Sequence, residues 1–395
     1  MLRSIRMRNF LSYGPESEPI DLRSLNVIIG ANGSGKSNLL EGIALMQSAP
    51  GRLSAQIREG GGVRDWLWKG QDTPVVASLE VVVDPRSEPS GDIPIRYRFD
   101  FAESGRRFEI VDERVENAEA YAGQDEPYFY YRYENNHPVL NVRERGENTP
   151  RRRILRREDI DPEKSILAQR RDPDVYPEIT RLAEALSDIG IYRDWALGRY
   201  TPPRLPQPAD LPNGRLEENA RNLGLVLNRL KRRTQTKDAM LEMFRAVYAG
   251  ADDFDVTIEG GTVQIFVREG RCTVPATRLS DGTLRYLCLL ALLCDPTPPP
   301  LLCIDEPELG LHPDLITRVA DALRDAAERT QIIVTTHSTT LVDAFTDDPE
   351  AVLVCEKHDG CSSVRRLDAE HLTPWLEKYR LGSLWTSGEI GGNRW

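Results

Sequence analysis

Five short segments, widely spaced along the chain, constrain its fold more than any bulk property. They are Gly30-Ala31-Asn32-Gly33-Ser34-Gly35-Lys36-Ser37, Leu279-Ser280-Asp281-Gly282-Thr283, Leu301-Leu302-Cys303-Ile304-Asp305-Glu306, the stretch Pro307 to Pro313, and Thr335-Thr336-His337-Ser338. The first fits G-x-x-x-x-G-K-[ST], in which glycine backbone N–H groups wrap phosphates and the next helix presents its positive end to them. That motif needs a strand before it and a helix after it. Asn26-Val27-Ile28-Ile29 supplies the apolar run, and Leu39, Leu40, Ile43, Ala44 and Met46 recur at helical spacing.

The residue types at these positions define candidate roles. Lys36 neutralises phosphate charge, and Ser37 offers a hydroxyl to Mg²⁺. Asp305 ends an apolar strand, where a carboxylate can hold Mg²⁺ through water. Glu306 can polarise the water that attacks a γ-phosphate. An Asp-Glu pair after a strand can also be a plain helix N-cap. His337 closes the strand Ile332–Thr336, from which an imidazole can hydrogen-bond a phosphate oxygen. Ser280 precedes an apolar helix with Leu284, Leu287, Leu289, Leu290 and Leu293, so it reads as an N-cap or as a second anion site. Since the chain already has a phosphate loop, a second anion site would serve a partner's nucleotide.

Elsewhere the period changes. Ala77, Leu79, Val81 and Val83 alternate, as do Ile95, Tyr97, Phe99 and Phe101, and Tyr128 to Tyr133 is a third strand candidate; this predicts an antiparallel sheet. Residues 135–165 are polar and Arg-rich and carry no assignable pattern. Residues 166–250 read as mainly helical, interrupted by Pro202, Pro203, Pro206, Pro208 and Pro212. Alternation returns at Phe254, Val256 and Ile258 and at Val263, Ile265 and Val267. Leu301–Ile304, Ile332–Val334 and Val352–Val354 are short apolar runs of the kind buried in a mainly parallel sheet. The expected division is 1–165 for the first half of the nucleotide-binding head, 166–253 for an inserted helical lobe, and 254–395 for the second half.

With 395 residues, 40% hydrophobic and 29% charged, the chain is long enough for two domains of ordinary globular composition. No apolar run approaches a membrane span, and the N-terminus lacks the apolar region of a signal peptide, so a cytoplasmic location without membrane association is expected. Six cysteines without a C-x-x-C pair read as buried free thiols. A net charge of −11 argues against a surface coated for nucleic acid. Local basic clusters remain at Arg151, Arg152, Arg153, Arg156 and Arg157, at Arg170 and Arg171, and at Lys231, Arg232 and Arg233. Each is a solvated face or a phosphate-contacting strip.

The five segments together resemble the ATPase head shared by ATP-binding-cassette, SMC and RecF-type proteins. Ile5-Arg6-Met7-Arg8-Asn9-Phe10-Leu11-Ser12 and Ser37-Asn38-Leu39-Leu40-Glu41 resemble the SMC/RecF branch. Over nearly the whole chain, including Glu306 to Pro313 and Gly391-Gly392-Asn393-Arg394-Trp395, the sequence is similar to stand-alone prokaryotic AAA-type predicted ATPases of the RecF/OLD-like kind. The resemblance implies an α/β fold with a mainly parallel core sheet, an antiparallel β-subdomain and an inserted, mainly helical lobe. It implies ATP held by Asn32, Gly33, Ser34, Gly35, Lys36, Ser37 and Asn38. Lys36, Glu306 and His337 would be catalytic, and Ser37 and Asp305 would be Mg²⁺ ligands. Ser280 and Gly282 would contact the γ-phosphate of a second copy, with Gly310 to Pro313 at the seam. The family also uses a glutamine to link Mg²⁺ to the inserted lobe; Gln169 is the candidate, with Gln47 and Gln56 as rivals. One departure is Ser280-Asp281-Gly282 where Ser-Gly-Gly is usual. A carboxylate there is repelled by a triphosphate unless it points away or pairs with a base such as Arg278 or Arg285.

The expected activity is therefore ATP hydrolysis by a head that dimerises on ATP. It would be coupled to sensing or processing double-stranded DNA in repair or anti-phage defence. OLD-type nucleases carry an extra C-terminal domain, and SMC proteins carry long coiled coils. Neither is apparent here, so an effector or nuclease would be a separate chain. The alternative is a nucleotide-controlled scaffold or timer acting on a partner protein without DNA. A transporter motor fits less well, given the long insertion and the SMC-like start.

Overall fold

The computed structural model describes residues 1–70, 75–84, 93–134, 137–142, 151–248 and 250–392. Its centre is a six-stranded sheet in the order Gly190–Tyr192, Leu301–Asp305, Gln331–Thr335, Leu25–Ile29, Val352–His358, Cys361–Arg366. Neighbours run parallel except the last pair, a hairpin. The sheet is covered on both faces. Val27, Ile29, Leu302, Ile304, Ile332 and Val334 enter one core. Ile28, Leu301, Cys303, Ile333 and Leu353 enter the other. Successive strand residues point to opposite faces, so a strand buried on both sides reads as an unbroken apolar run. This is why these strands showed no alternation in the sequence.

A second sheet has eight antiparallel strands in the order Ile20–Asp21, Leu2–Arg8, Ala77–Val83, Ile95–Ser104, Arg107–Asn117, Phe129–Glu134, His137–Val142, Arg151–Ile154. The helix Lys36–Ser48 shares one core with this sheet and the central one, which buries most of its length. Two of the strands fall in the stretch without an assignable pattern. The edge strand Arg151–Ile154 is exposed at all four positions, so no alternation could mark it.

A smaller antiparallel sheet comprises Gln207–Pro208, Asp253–Glu259, Thr262–Glu269 and Cys272–Pro275. With the helices Leu223–Lys231, Thr234–Val247 and Asp281–Leu293 it contributes to the core on the other face of the central sheet. The helical lobe is thus present, but 166–253 does not bound it. Gly190–Tyr192 pairs in parallel with Leu302–Ile304 at the edge of the central sheet. The helix Pro177–Ser187 buries Ile179, Leu182 and Leu186 in the core beside Lys36–Ser48. Three residues of edge strand and a small amphipathic helix carry no periodic signal that separates them from the lobe that follows.

Where the lobe's approach begins, a carboxylate is buried. Glu113 is 2% exposed, and its Oε1 accepts from Tyr97 OH (2.9 Å) and Ser165 Oγ (2.6 Å) while Oε2 accepts from Ile166 N (2.9 Å). Burial pushes its pKa up to about 7, against the lowering effect of those hydrogen bonds. The folded state therefore holds a proton that the unfolded state releases above about pH 4.5. Stability tied to this group is present at low pH and lost as pH rises towards about 7, by a few kcal/mol at most. Urea midpoints compared between pH 5 and pH 8 should fall more for the native chain than for Glu113→Gln.

All six cysteines are free. Cys288 and Cys303 are fully buried, and burial pushes both thiols up to about 12. Among the described residues no helix is long and apolar enough to cross a membrane. Asn393, Arg394 and the terminal Trp395 lie outside the described residues; the tryptophan seated near that end is Trp385, whose Nε1 donates to Gly392 O (3.2 Å).

Candidate nucleotide site

The phosphate loop leaves the strand Leu25–Ile29 and enters the helix Lys36–Ser48 through Gly35, at φ 117°. Gly35 offers no side chain to cap the first-turn N–H groups. Other helices here are capped by Ser165, Ser280, Ser338 and Asp368. Uncapped first-turn donors at the positive end of a helix form an anion site. A side chain at Gly35 would run into Ser362 Oγ and Ser12 Oγ. Those two hydroxyls brace the loop from outside. Ser362 Oγ donates to Ser34 O (2.5 Å), Asn38 Nδ2 donates to Ser12 Oγ (2.7 Å), Cys355 Sγ donates to Ser34 O (3.3 Å), and Tyr13 OH donates to Gly35 O (3.2 Å). Ser12 and Asn38 lie in segments the sequence already singles out, but the contacts themselves join residues distant in sequence and fit no motif. Ser34 Oγ is buried without a partner. Asn32, Gly33 and Ser37 are exposed on the loop.

Lys36 is 6% exposed, and its Nζ donates to Gly30 O (2.8 Å) and Ala31 O (3.1 Å). Burial holds its ammonium below the usual lysine range, while Cys355, Glu306 and Asp305 act in the other direction. The register explains how these acids come close. Asp305 pairs with Thr335, and Thr335 pairs with Ile28, one residue before the strand's end. Strands about 4.8 Å apart thus bring three distant segments to one sheet edge.

The strand ends are tightly tied. Thr335 Oγ1 donates to Asp305 Oδ1, and Glu306 N donates to Thr335 O (3.1 Å). Glu306 has φ 46°, the left-handed region that a non-glycine residue enters at a cost of about 1 kcal/mol or more. That turn brings its Oε1 to 3.6 Å from His337 Nε2. Burial, then the Lys36 charge, holds the imidazole below the usual histidine range, opposed by Glu306 and Asp305. At neutral pH the imidazole of this pair is therefore neutral. Glu308, also missed from sequence, accepts from Thr336 Oγ1 (2.5 Å) and His337 N (3.2 Å), and burial holds its carboxyl above the usual range.

The donor set fits Mg²⁺ arriving with a nucleotide and not Mg²⁺ alone. Among the described residues no group of three or more His, Cys, Asp or Glu could hold a metal. Mg²⁺ is commonly held by one or two side chains plus phosphates and water, which Asp305 and Ser37 can supply. Gln169 does not join them. Its Oε1 accepts from Asp161 N (2.8 Å), and its Nε2 donates to Asp161 O (3.1 Å) and Lys164 O (2.7 Å). Its neighbour Arg171 donates to Pro50 O, just beyond the far end of the helix Lys36–Ser48. Thirteen residues of helix, about 18 Å, separate that end from the phosphate loop. The carboxamide is consumed within its own turn. Gln47 Nε2 likewise donates to Ile189 O (2.7 Å) near that far end.

Ser280 caps the helix Asp281–Leu293, accepting from Thr283 N (3.0 Å). A Cβ on Gly282 would stand 2.7 Å from Gly310 O, so only glycine allows this close approach of the two segments. Gly282→Ala would gain up to about 1 kcal/mol of helix propensity but force a backbone contact costing about 1–3 kcal/mol. The contact wins, and a thermal melt should show net destabilisation. Among the described residues no hydrogen bond or ion pair joins Ser280, Asp281 or Gly282 to the phosphate loop. Asp281 pairs with Arg204, from the proline-rich connector, and not with Arg278 or Arg285. Arg285 is 9% exposed and lies 5.6 Å from the Trp195 ring centroid.

The sequence profile of one family, described as "AAA domain, putative AbiEii toxin, Type IV TA system", matches residues 25–343. The chain belongs to this AAA family. It is a P-loop ATPase, and the matched span runs from the phosphate-loop strand past His337. No curated protein shows significant sequence similarity to it. Solved structures share the fold of this AAA-family chain. One is the Smc head bound to the C-winged helix domain of ScpA, with TM-score 0.59, 16% identity, and coverage of 94% of this chain and 99% of that one. Another is the Smc head with an extended coiled coil bound to the C-terminal domain of ScpA from Pyrococcus furiosus, with TM-score 0.59, 15% identity, and coverage of 95% and 98%. A third, the Smc head with a coiled coil and joint from Pyrococcus yayanosii, has TM-score 0.52, 14% identity, and coverage of 95% and 99%.

Proposed function

We propose that this ATPase works as a two-headed device: ATP bound on one copy's phosphate loop is closed over by the signature turn of a second copy. The carrying observation is the division of the site. Lys36, Asp305, Glu306 and His337 gather at one sheet edge, while Gly282, beside Ser280, sits against Gly310, and among the described residues no hydrogen bond or ion pair joins either to that loop. Asn32 to Asn38 hold the triphosphate through backbone donors and Lys36. A cavity of 590 Å³ beside Ser12, Asn38, Trp68 and Lys69 gives room for base and ribose. Ser37 and Asp305 would hold Mg²⁺, which would supply neutralisation of the phosphate charge. Glu306 takes the proton of the attacking water, and His337 hydrogen-bonds the γ-phosphate side of the site. Hydrolysis then releases the two heads.

We assign the output to DNA transactions in defence or repair, through a separate effector chain. The family's description, which names a putative AbiEii toxin of a Type IV TA system, supports a paired partner, as does the Smc head bound to the C-winged helix domain of ScpA. A second reading, a nucleotide timer that acts on a partner protein without DNA, draws on the basic clusters. Arg170 and Arg171 donate to main-chain carbonyls, and Lys231 is paired with Asp253 (2.9 Å). The Arg151–Arg153 edge is exposed, as are Arg156, Arg232 and Arg233. Steady-state ATP hydrolysis with and without double-stranded DNA separates the two. Stimulation that falls with rising salt supports DNA as the ligand. A low rate unchanged by DNA overturns it in favour of the timer.

A further inference from the structure

The departure from Ser-Gly-Gly at Asp281 has a built-in counterpart. Arg204 is 6% exposed, and its guanidinium is shared among the carbonyls that shape the signature turn. Nε donates to Leu197 O (2.7 Å), Nη1 to Leu279 O (2.5 Å) and Ala276 O (3.3 Å), and Nη2 to the Asp281 carboxylate. Leu279 immediately precedes the N-cap Ser280, so one buried cation fixes the turn on both sides of that cap. Asp281 itself is largely exposed, with 68% of its side chain open to solvent. It stands in the first turn of a helix whose positive end would otherwise receive phosphate. An unpaired carboxylate there repels a triphosphate; a carboxylate bidden to a buried guanidinium is neutralised at the point of contact.

We propose that Arg204 is the positioning residue of the signature turn: it holds Leu279-Ser280 in place and cancels the Asp281 charge, so that the turn accepts the triphosphate of a second copy. This rests on the two-headed reading. Arg204 belongs to the connector that leads into the lobe, between Tyr192 and the helix Leu223–Lys231. The same contact therefore ties the position of the lobe to the competence of the signature. Arginine suits this task because its planar fork holds five donors in fixed directions over three nitrogens, where a lysine offers three from a single one.

The test measures the ATP-dependent monomer–dimer equilibrium by sedimentation in a Glu306→Gln background. Binding of a fluorescent ATP analogue to the monomer reports the chain's own phosphate loop in parallel. Arg204→Met should weaken dimerisation at least tenfold without changing monomer nucleotide affinity more than about twofold. Asp281→Asn, at an exposed position, should tighten dimerisation, because Arg204 then offers an unspent charge to the incoming phosphates. The double variant should recover only the charge part of the loss, dimerising more tightly than Arg204→Met and more weakly than the Glu306→Gln parent, because the Leu279 and Ala276 carbonyls still lack their donor. Arg204→Met that is not rescued by Asp281→Asn would reduce Arg204 to a structural residue and overturn the proposal. Should Arg204→Met fail to fold, Asp281→Asn decides alone: an unchanged dimer constant overturns the charge-cancelling role. A Glu306→Gln parent that stays monomeric at saturating ATP fails in a different arm, and it sinks the two-headed reading together with this inference.

Discussion

Glu306→Gln is expected to lower ATP turnover by about 100-fold or more and to leave a long-lived ATP-bound dimer. General-base catalysis is worth about 10²–10⁴-fold, and glutamine cannot take the proton of the attacking water. The substitution changes little else. Glu306 owes its place to its backbone: its N donates to Thr335 O (3.1 Å), and its φ of 46° sets the direction of the side chain. Glutamine keeps the volume and the reach towards His337. Lys36 and the uncapped helix end are untouched, so nucleotide affinity should hold within about twofold, well under the 1.4 kcal/mol that a tenfold change represents. Phosphate release measures the first effect, and light scattering at saturating ATP measures the second. A variant that turns over at the native rate would remove Glu306 from the role of base.

Lys36→Met should abolish useful ATP binding while leaving the fold almost as stable. A charge-assisted hydrogen bond is worth about 1.5–3 kcal/mol, and Lys36 can offer more than one to the phosphates. Loss of one such bond corresponds to about 10- to 150-fold in affinity, and loss of two multiplies these factors. The stability effect is smaller because two terms oppose each other. Methionine loses the bonds to Gly30 O and Ala31 O, but it also removes an ammonium that is 6% exposed and whose burial is costly. Net change in the unfolding free energy should stay near 1 kcal/mol. Titration with a fluorescent nucleotide, beside a thermal melt, separates the two. Native-like affinity would move the phosphate contact elsewhere on the loop.

Much of the site was legible because its chemistry needs particular residues at particular spacings. Gly30 to Ser37, Asp305-Glu306 and His337 were found as motifs, and the sheet register brings them to one edge. The contacts that the sequence did not reveal share one property: they have no local pattern. Ser12, Tyr13, Cys355 and Ser362 brace the loop from three separate segments. Glu308 holds the main chain of His337 across the gap between two strands. Gln169 shows the opposite error. A glutamine at a plausible point in the sequence has its carboxamide bound inside its own turn, because Asp161 and Lys164 are nearer partners than any metal site. The lobe boundary failed for a related reason, since three residues of edge strand at Gly190–Tyr192 announce nothing until a partner strand is beside them.

The sequence by itself determined the phosphate loop, the paired acids, the histidine and the mainly parallel core, because glycine spacing, strand-end carboxylates and unbroken apolar runs are properties of neighbouring residues. Only the tertiary structure decided which cation answers Asp281. Arg278 and Arg285 are near in sequence, yet Arg204 reaches it, because the connector folds across the signature turn and buries its guanidinium among the carbonyls there. Charge pairing depends on distance in space, and distance in space is set by how the chain packs.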